Sequence, residues 1–175
     1  MIYDAPTTEL DAIMTVARLM MAAARTAPKG KGADNLTTML FTGGDKDRVA
    51  DQMEQIAREE DIPFFQRDAK NIRFSPVVMV LGSRLAPLGI PHCGYCGYQN
   101  CGACKEADGR CNFNIIDLGI ALGSAVSVAA LHHIDNRIMF SFGKTVLEMG
   151  LLPEETRIAY GIPLSISSKS PFFDR

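Results

Sequence analysis

Five cysteines fall within nineteen residues, from Cys93 to Cys111, and the rest of the 175-residue chain has none. The run reads His92-Cys93-Gly94-Tyr95-Cys96-Gly97-Tyr98-Gln99-Asn100-Cys101-Gly102-Ala103-Cys104, then Cys111, at intervals C-x2-C-x4-C-x2-C-x6-C. Such a stretch constrains the fold before any periodicity does. It must form a tightly turning loop that gathers soft donors, and Gly94, Gly97 and Gly102 supply the backbone freedom for it. Thiolates are the ligands that iron–sulfur clusters and zinc select.

Several centres answer to this spacing. A 4Fe–4S cluster needs four thiolates on a loop that folds round a cube, with backbone N–H groups turned toward the sulfides. A structural zinc site would use the pairs Cys93/Cys96 and Cys101/Cys104, although four residues between pairs is short for closing a tetrahedron. A 2Fe–2S cluster matches Cys96-x4-Cys101-x2-Cys104 but wants a distant fourth cysteine, and the chain has none. A purely structural or regulatory thiol group is the bland alternative. Five cysteines exceed four ligands, so one is spare. His92 reads as a ligand or, more commonly beside four cysteines, as a hydrogen-bonding neighbour of the thiolates, and Tyr95 and Tyr98 either shield the centre or simply pack the loop.

Bulk properties narrow the setting. A formal net charge of −2 gives no reason to expect a nucleic-acid or membrane-surface partner. Asp4, Glu9 and Asp11 are wrong for the basic start of an export signal. The longest apolar stretch, Ile115 to Ile134, carries Asp117, His132 and His133, which suits a packing helix better than a membrane span. The expectation is a cytoplasmic protein whose thiols stay reduced rather than forming a disulfide framework.

Periodicity predicts helices over Thr8–Arg25, Lys46–Glu60, Asn114–His133 (capped by Asn114) and Asp135–Met149 (capped by Asp135). Strands are expected at Leu36–Phe41, around Phe64-Phe65, at Pro76–Leu81 and at Arg157–Leu164. Nothing resembles a linker. Residues 1–175 therefore read as one α+β domain, a sheet sandwiched by helices, with the cysteine loop inserted at 91–112. The tail ending Phe172-Phe173-Asp174-Arg175 is apolar enough to be docked, and a partner subunit is the expected surface.

The spacing C-x2-C-x4-C with a later cysteine resembles a cluster motif of anaerobic electron-transfer complexes and corrinoid proteins. That resemblance makes Cys93, Cys96, Cys101 and Cys111 the ligands and Cys104 the extra thiol, although the shorter run to the last cysteine keeps Cys104 in play. Beyond the loop come Asn114-Ile115-Ile116-Asp117-Leu118-Gly119-Ile120-Ala121-Leu122-Gly123, Asp135-Asn136-Arg137, Tyr160-Gly161-Ile162-Pro163 and the ending Lys169-Ser170-Pro171-Phe172-Phe173. Together with the loop, they resemble, nearly end to end, the "ferredoxin domain-containing" proteins of anaerobic bacteria and archaea.

A second likeness bears on the fold. Ala24-Arg25-Thr26-Ala27-Pro28 followed by Asp34-Asn35-Leu36 is similar to the helix end and loop of FMN-dependent nitroreductases. It implies a nitroreductase-like three-layer α+β fold, an intertwined homodimer and an FMN held by Arg25, Asn35 and Lys169. The arginine-rich first segment that holds the flavin phosphate in those enzymes is absent, and Arg18 and Arg25 are the nearest cations. The combined expectation is an iron–sulfur redox protein. It would exchange electrons with a redox partner protein or small-molecule acceptor, or act as a flavin-linked oxidoreductase. The alternative is a non-catalytic metal-binding scaffold or redox sensor.

Overall fold

A computed structural model describes residues 1–173. Helix α1 (Ala5–Thr26) leads through a 3-10 turn at Gly30–Gly32 to strand β1 (Leu36–Thr42). Helices α2 (Gly43–Glu59) and α3 (Pro63–Phe74) precede strand β2 (Val77–Ser83). The cysteine loop follows, containing the short helix α4 (Cys101–Glu106). Helix α5 (Asn112–Leu131), the two-residue strand β3 (Asp135–Asn136), helix α6 (Phe140–Glu148) and strand β4 (Ile158–Ser165) complete the chain.

The sheet order is β1-β2-β4-β3, and every neighbouring pair is antiparallel. All seven residues of β2 are buried. Successive side chains point to opposite faces, so Val77, Met79 and Leu81 enter the core beneath α1 and α5, while Val78 and Val80 enter the core beneath α2, α3 and α6. This is the expected three-layer α+β arrangement. A near-continuous apolar strand signals burial on both faces, and the Val-Val-Met-Val-Leu run carries that signal here.

The helical stripes behave as the periodicity predicts. Ile13, Ala17, Met20 and Ala24 of α1, and Val49, Met53, Ile56 and Ala57 of α2, are buried, whereas Leu10 at the edge of the α1 stripe is exposed. Each fully buried aliphatic or methionine side chain contributes about 1.5–3 kcal/mol of transfer free energy. The first helix starts earlier than Thr8: Asp4 is its cap, with Oδ1 accepting from Thr7 N–H, and Pro6 sits in the first turn.

Three expectations are corrected. Phe64-Phe65 is not a strand but the start of α3. Pro63 occupies the first helical turn, and Phe65, Ala69 and Ile72 fall on one buried helical face. Asp135 does not cap a helix. Residues 135–139 extend along β4, with Asp135 opposite Ser165, Asn136 opposite Leu164 and Met139 bridging Gly161, and α6 begins only at Phe140. The ladder breaks between those pairs because residues 161, 163 and 165 turn their backbone groups toward β3 and Pro163 has no N–H to give. The apolar tail is docked, but on its own chain. Phe172 is buried in the core beneath α2 and α6, its carbonyl accepts from Arg137 Nη1, and Phe173 lies under the Arg137 guanidinium. Asp174 and Arg175 lie outside the described residues.

Helix α6 reaches β4 through two glycines. An added Cβ at Gly143 would fall inside the contact radius of the Ala159 carbonyl, and one at Gly161 would meet the Phe142 ring. Backbone cannot yield as a flexible side chain can. Gly143→Ala is therefore expected to destabilise the fold by about 3 kcal/mol, read as a lower urea midpoint at unchanged slope. An unaltered midpoint would show that α6 does not pack this closely.

Candidate metal centre

The loop leaves the sheet through Leu85, which has a left-handed backbone (φ 58°), and returns at Cys111, whose N–H donates to the Leu85 carbonyl at 3.2 Å. Between these points the chain turns at His92 (φ 53°), Gly94 (φ 77°) and Gly97 (φ 84°), with Gly97 N–H donating to the Gly94 carbonyl. Asn100 then caps α4, its Oδ1 accepting from Ala103 N–H at 2.9 Å. That cap places Cys101 and Cys104 one turn apart on the same side of α4. The helix ends where Gly109 N–H donates to the Cys104 carbonyl, and a Cβ at Gly109 would collide with the Tyr98 ring. Cys111 is the N-cap of α5.

All five cysteines line one cavity, together with Pro87, Tyr95 and Phe113. Cys104 and Cys111 are buried, and Cys93, Cys96 and Cys101 are half-buried at the rim. The enclosed space is about 10 Å³, roughly the room one water molecule needs. No three His, Cys, Asp or Glu side chains among the described residues converge as a single-ion site, so the thiols surround the cavity rather than meet at a point. Burial pushes the Cys104 thiol up to about 11, and its hydrogen bond to Cys96 and the charges of Cys96, Cys111 and Cys101 add to the shift. Cys104 therefore sits among three other thiols, in a place where its thiolate is costly unless a cation compensates. The donor set, all soft and on a pocket with aromatic walls, suits an iron–sulfur centre. Tyr95 lines the cavity: its ring stacks on Phe113 at 5.7 Å, and its carbonyl accepts from Asn112 Nδ2.

The three residues considered for a flavin do not form a common cradle within one protomer. Arg25 is held in an ion pair with Asp34. Burial opposes ionisation of Asp34, but hydrogen bonds from Arg25 and the Leu36 N–H and the charges of Arg25 and Lys29 hold its carboxyl below the usual range. Asn35 is committed at both ends of its amide: Nδ2 donates to Asn114 Oδ1 at 2.8 Å, and Oδ1 accepts from Arg84 at 3.0 Å. Lys169 lies elsewhere. Asn35 adjoins the Leu36–Ser83 corner on the β1 edge, whereas Lys169 follows Ser165 on the β3 edge. The eight residues of β4 separate these ends by about 25 Å along the strands.

Sequence reasoning missed two residues that build the site. Asn114 is not the cap of α5 but a buried clamp in its first turn, with Nδ2 donating to the Ala86 carbonyl and Oδ1 accepting from Asn35. Asp117, one turn on, accepts from Gly30 N–H at 3.0 Å. The signal was present as polar residues at i and i+3 in an otherwise apolar helix.

Comparison with known proteins bears on the family and the fold. A family model described as "Uncharacterized protein containing a ferredoxin domain" matches residues 107–175, a span that includes Cys111 but not the other four cysteines. A protein of Archaeoglobus fulgidus, itself described only as uncharacterised, is 36% identical over 173 residues, covering 94% of this chain and 92% of its own length. Among solved structures, the FMN-dependent nitroreductase NfnB from Mycobacterium smegmatis, in complex with NADPH, superposes with a TM-score of 0.59 at 14% identity, covering 89% of this chain and 78% of that one. A nitroreductase family protein from Clostridium novyi NT gives a TM-score of 0.58 at 15% identity over 99% of this chain and 79% of that one. At such identities the likeness establishes the nitroreductase fold alone. With the archaeal relative matched nearly end to end, the chain belongs to the family of uncharacterised proteins that contain a ferredoxin domain.

Proposed function

We propose that this protein is an iron–sulfur redox protein whose cysteine loop holds a 4Fe–4S cluster and exchanges single electrons with a redox partner protein or small-molecule acceptor. The observation that carries the reading is the gathering of five thiols round one cavity on a nitroreductase-like sheet. A cluster supplies one-electron transfer at a potential set by burial and hydrogen bonding. The chain contributes the ligands, the aromatic shield of Tyr95 and Phe113, and the clamp at the base of the loop. Cys93, Cys96, Cys101 and Cys111 are assigned as ligands. Cys104, on the inner side of α4, acts as a thiol donor to the sulfur of Cys96. A cubane would be held by the four assigned sulfurs, of which Cys93 and Cys96 adjoin the turns at Gly94 and Gly97. The reducing cytoplasm keeps all five thiols available.

A flavin-linked oxidoreductase is supported by the fold, but Arg25, Asn35 and Lys169 form no common flavin cradle within one protomer. The zinc reading, as scaffold or sensor, has the same donors in its favour, but a tetrahedral ion asks sulfurs to meet within about 4 Å of one another.

The test is anaerobic purification followed by iron, acid-labile sulfide, zinc and flavin assays, with electron paramagnetic resonance on the reduced sample. About four iron and four sulfide per chain are expected for one cubane. Stoichiometric zinc in colourless protein would overturn the assignment. Cys101→Ala and Cys111→Ala should each lose most of the iron. Cys104→Ala should keep it, with a reduction potential lower by roughly tens of millivolts, because a hydrogen bond to a ligand sulfur is lost.

The cluster protein is further proposed to be a homodimer built on α5. This helix is long and apolar enough to cross a membrane by length and composition, yet Ala121, Leu122, Ala125 and Ala129 pack it into the core. Its other face presents Ile116, Gly119, Ile120 and Gly123 at helical spacing, all exposed, with nothing within 4 Å of a Cβ built on either glycine. A second copy of the same helix would find isoleucine knobs beside glycine gaps. Ile120→Glu should convert a dimer to a monomer in sedimentation velocity while leaving the helical circular dichroism intact. A wild-type chain that sediments as a monomer at micromolar concentration would remove this proposal.

A further inference from the structure

We propose that the cleft beside the cysteine loop binds a small oxyanionic ligand, a molecule carrying phosphate or several carboxylates. The cleft has a volume of about 630 Å³, within the range of small-molecule sites. Four cations line it, Arg84, Lys105, Arg110 and Arg157, against two carboxylates, Asp108 and Glu155. The site is thus net positive in a chain whose net charge is −2.

The cations come from different elements that the fold brings to one place. Arg84 continues β2 and is fixed by hydrogen bonds from one guanidinium nitrogen to the Asp34 carbonyl and to Asn35 Oδ1, leaving most of its donors uncommitted. Arg157 enters β4 with its backbone N–H on the Ser83 carbonyl, which seats it beside the end of β2. Lys105 follows Cys104 on α4, and Arg110 precedes Cys111. None of the side-chain heads of Lys105, Arg110 and Arg157 makes a hydrogen bond or ion pair among the described residues. Four cations round a cleft of this width stand at about a Debye length or closer, so salt screens their mutual repulsion only partly. Two carboxylates offset half of it. An oxyanion would relieve the rest, and guanidinium forks match the geometry of phosphate and carboxylate oxygens.

The lining is preorganised. The turn carrying Asp108 and Arg110 is pinned by Asp108 N–H on the Lys105 carbonyl, Gly109 N–H on the Cys104 carbonyl and the Tyr98 ring against Gly109. Cys111 N–H on the Leu85 carbonyl ties the same segment to the sheet end that carries Arg84. A ligand here meets a backbone already in position, so binding has only the side chains to order. The inference concerns binding and stands apart from the electron-transfer reading.

The test is titration calorimetry of anaerobically purified full-length protein at low ionic strength, with inorganic pyrophosphate and citrate as separate probes and the iron content of each sample recorded. At least one probe should bind with a dissociation constant below about 1 mM, and the tighter of the two identifies the anion source as phosphate or carboxylate. The double variant Arg110→Gln/Arg157→Gln should weaken that binding by roughly tenfold or more, since two charge-assisted contacts are lost. Arg48→Gln, on exposed α2, should leave it unchanged. Absence of binding by both probes, or binding equally strong in the double variant, would overturn the proposal. Because heats of binding and iron content are read separately, an iron-free sample that still binds anion would count against the cluster alone.

Discussion

The hydrogen bond from Cys111 N–H to the Leu85 carbonyl is the constraint on which the site depends, because it closes the excursion between β2 and α5 at its base. Without it, the loop that carries every cysteine would hang from the sheet by two free ends. With it, the loop inherits the rigidity of a strand buried on both faces. The first turns of α5 extend the same clamp. Asn114 holds the Ala86 carbonyl and the Asn35 amide, and Asp117 holds Gly30 N–H. Three separate segments are thus fixed to one helix end by polar groups that are themselves buried. Each such bond contributes only about 1 kcal/mol net, but leaving a buried partner unmade costs about 1–3 kcal/mol, so the set is cooperative in practice.

The layers were legible because the patterns that encode them are local. The stripes of α1 and α2 repeat at helical spacing, and the apolar run of β2 is short and follows a proline. Their placement against two separate cores follows once a sheet with apolar residues on both faces has to be covered. Where the reading failed, residues flanking the segment or a strand beside it decided the conformation. Phe64-Phe65 has strand composition, but Pro63 ahead of it and the partners Ala69 and Ile72 behind it select a helix. Asp135 looks like a cap because it precedes an apolar periodic run. What decides its conformation is the free edge of β4 alongside, which no local pattern announces. Pro163 then explains why that pairing is only two residues long, a fact visible only when both strands are in register.

The site divides in the same way. Cysteine density is a one-dimensional signal, and it gave the candidate donors at once. Which thiol lies innermost was not readable. The resemblance to a cluster motif makes Cys104 the extra thiol while keeping it in play, and the cap at Asn100 turns it inward to sit among Cys96, Cys101 and Cys111. Arg84 and Arg157 were invisible as a pair because they are far apart in sequence and meet only through the antiparallel register that sets Ser83 opposite Ile158. Asn35, read as a contact for a flavin ring, is an element of the scaffold beside that pair.

Burial and the neighbouring sulfurs act on Cys104 in the same direction, while the loop carries cations on its outer side. Taking Cys104 out of water disfavours its thiolate, and the neighbouring thiols make matters worse. Lys105 and Arg110, adjacent in sequence to Cys104 and Cys111, are exposed and line the cleft on the other side of the same backbone. The cations stay in water and keep their own hydration. A cavity walled by Tyr95, Phe113 and Pro87 excludes solvent on one side, while a cationic cleft faces it on the other. That division lets one short helical turn, Cys101–Glu106, face soft donors into the cavity and a cation, Lys105, into the cleft.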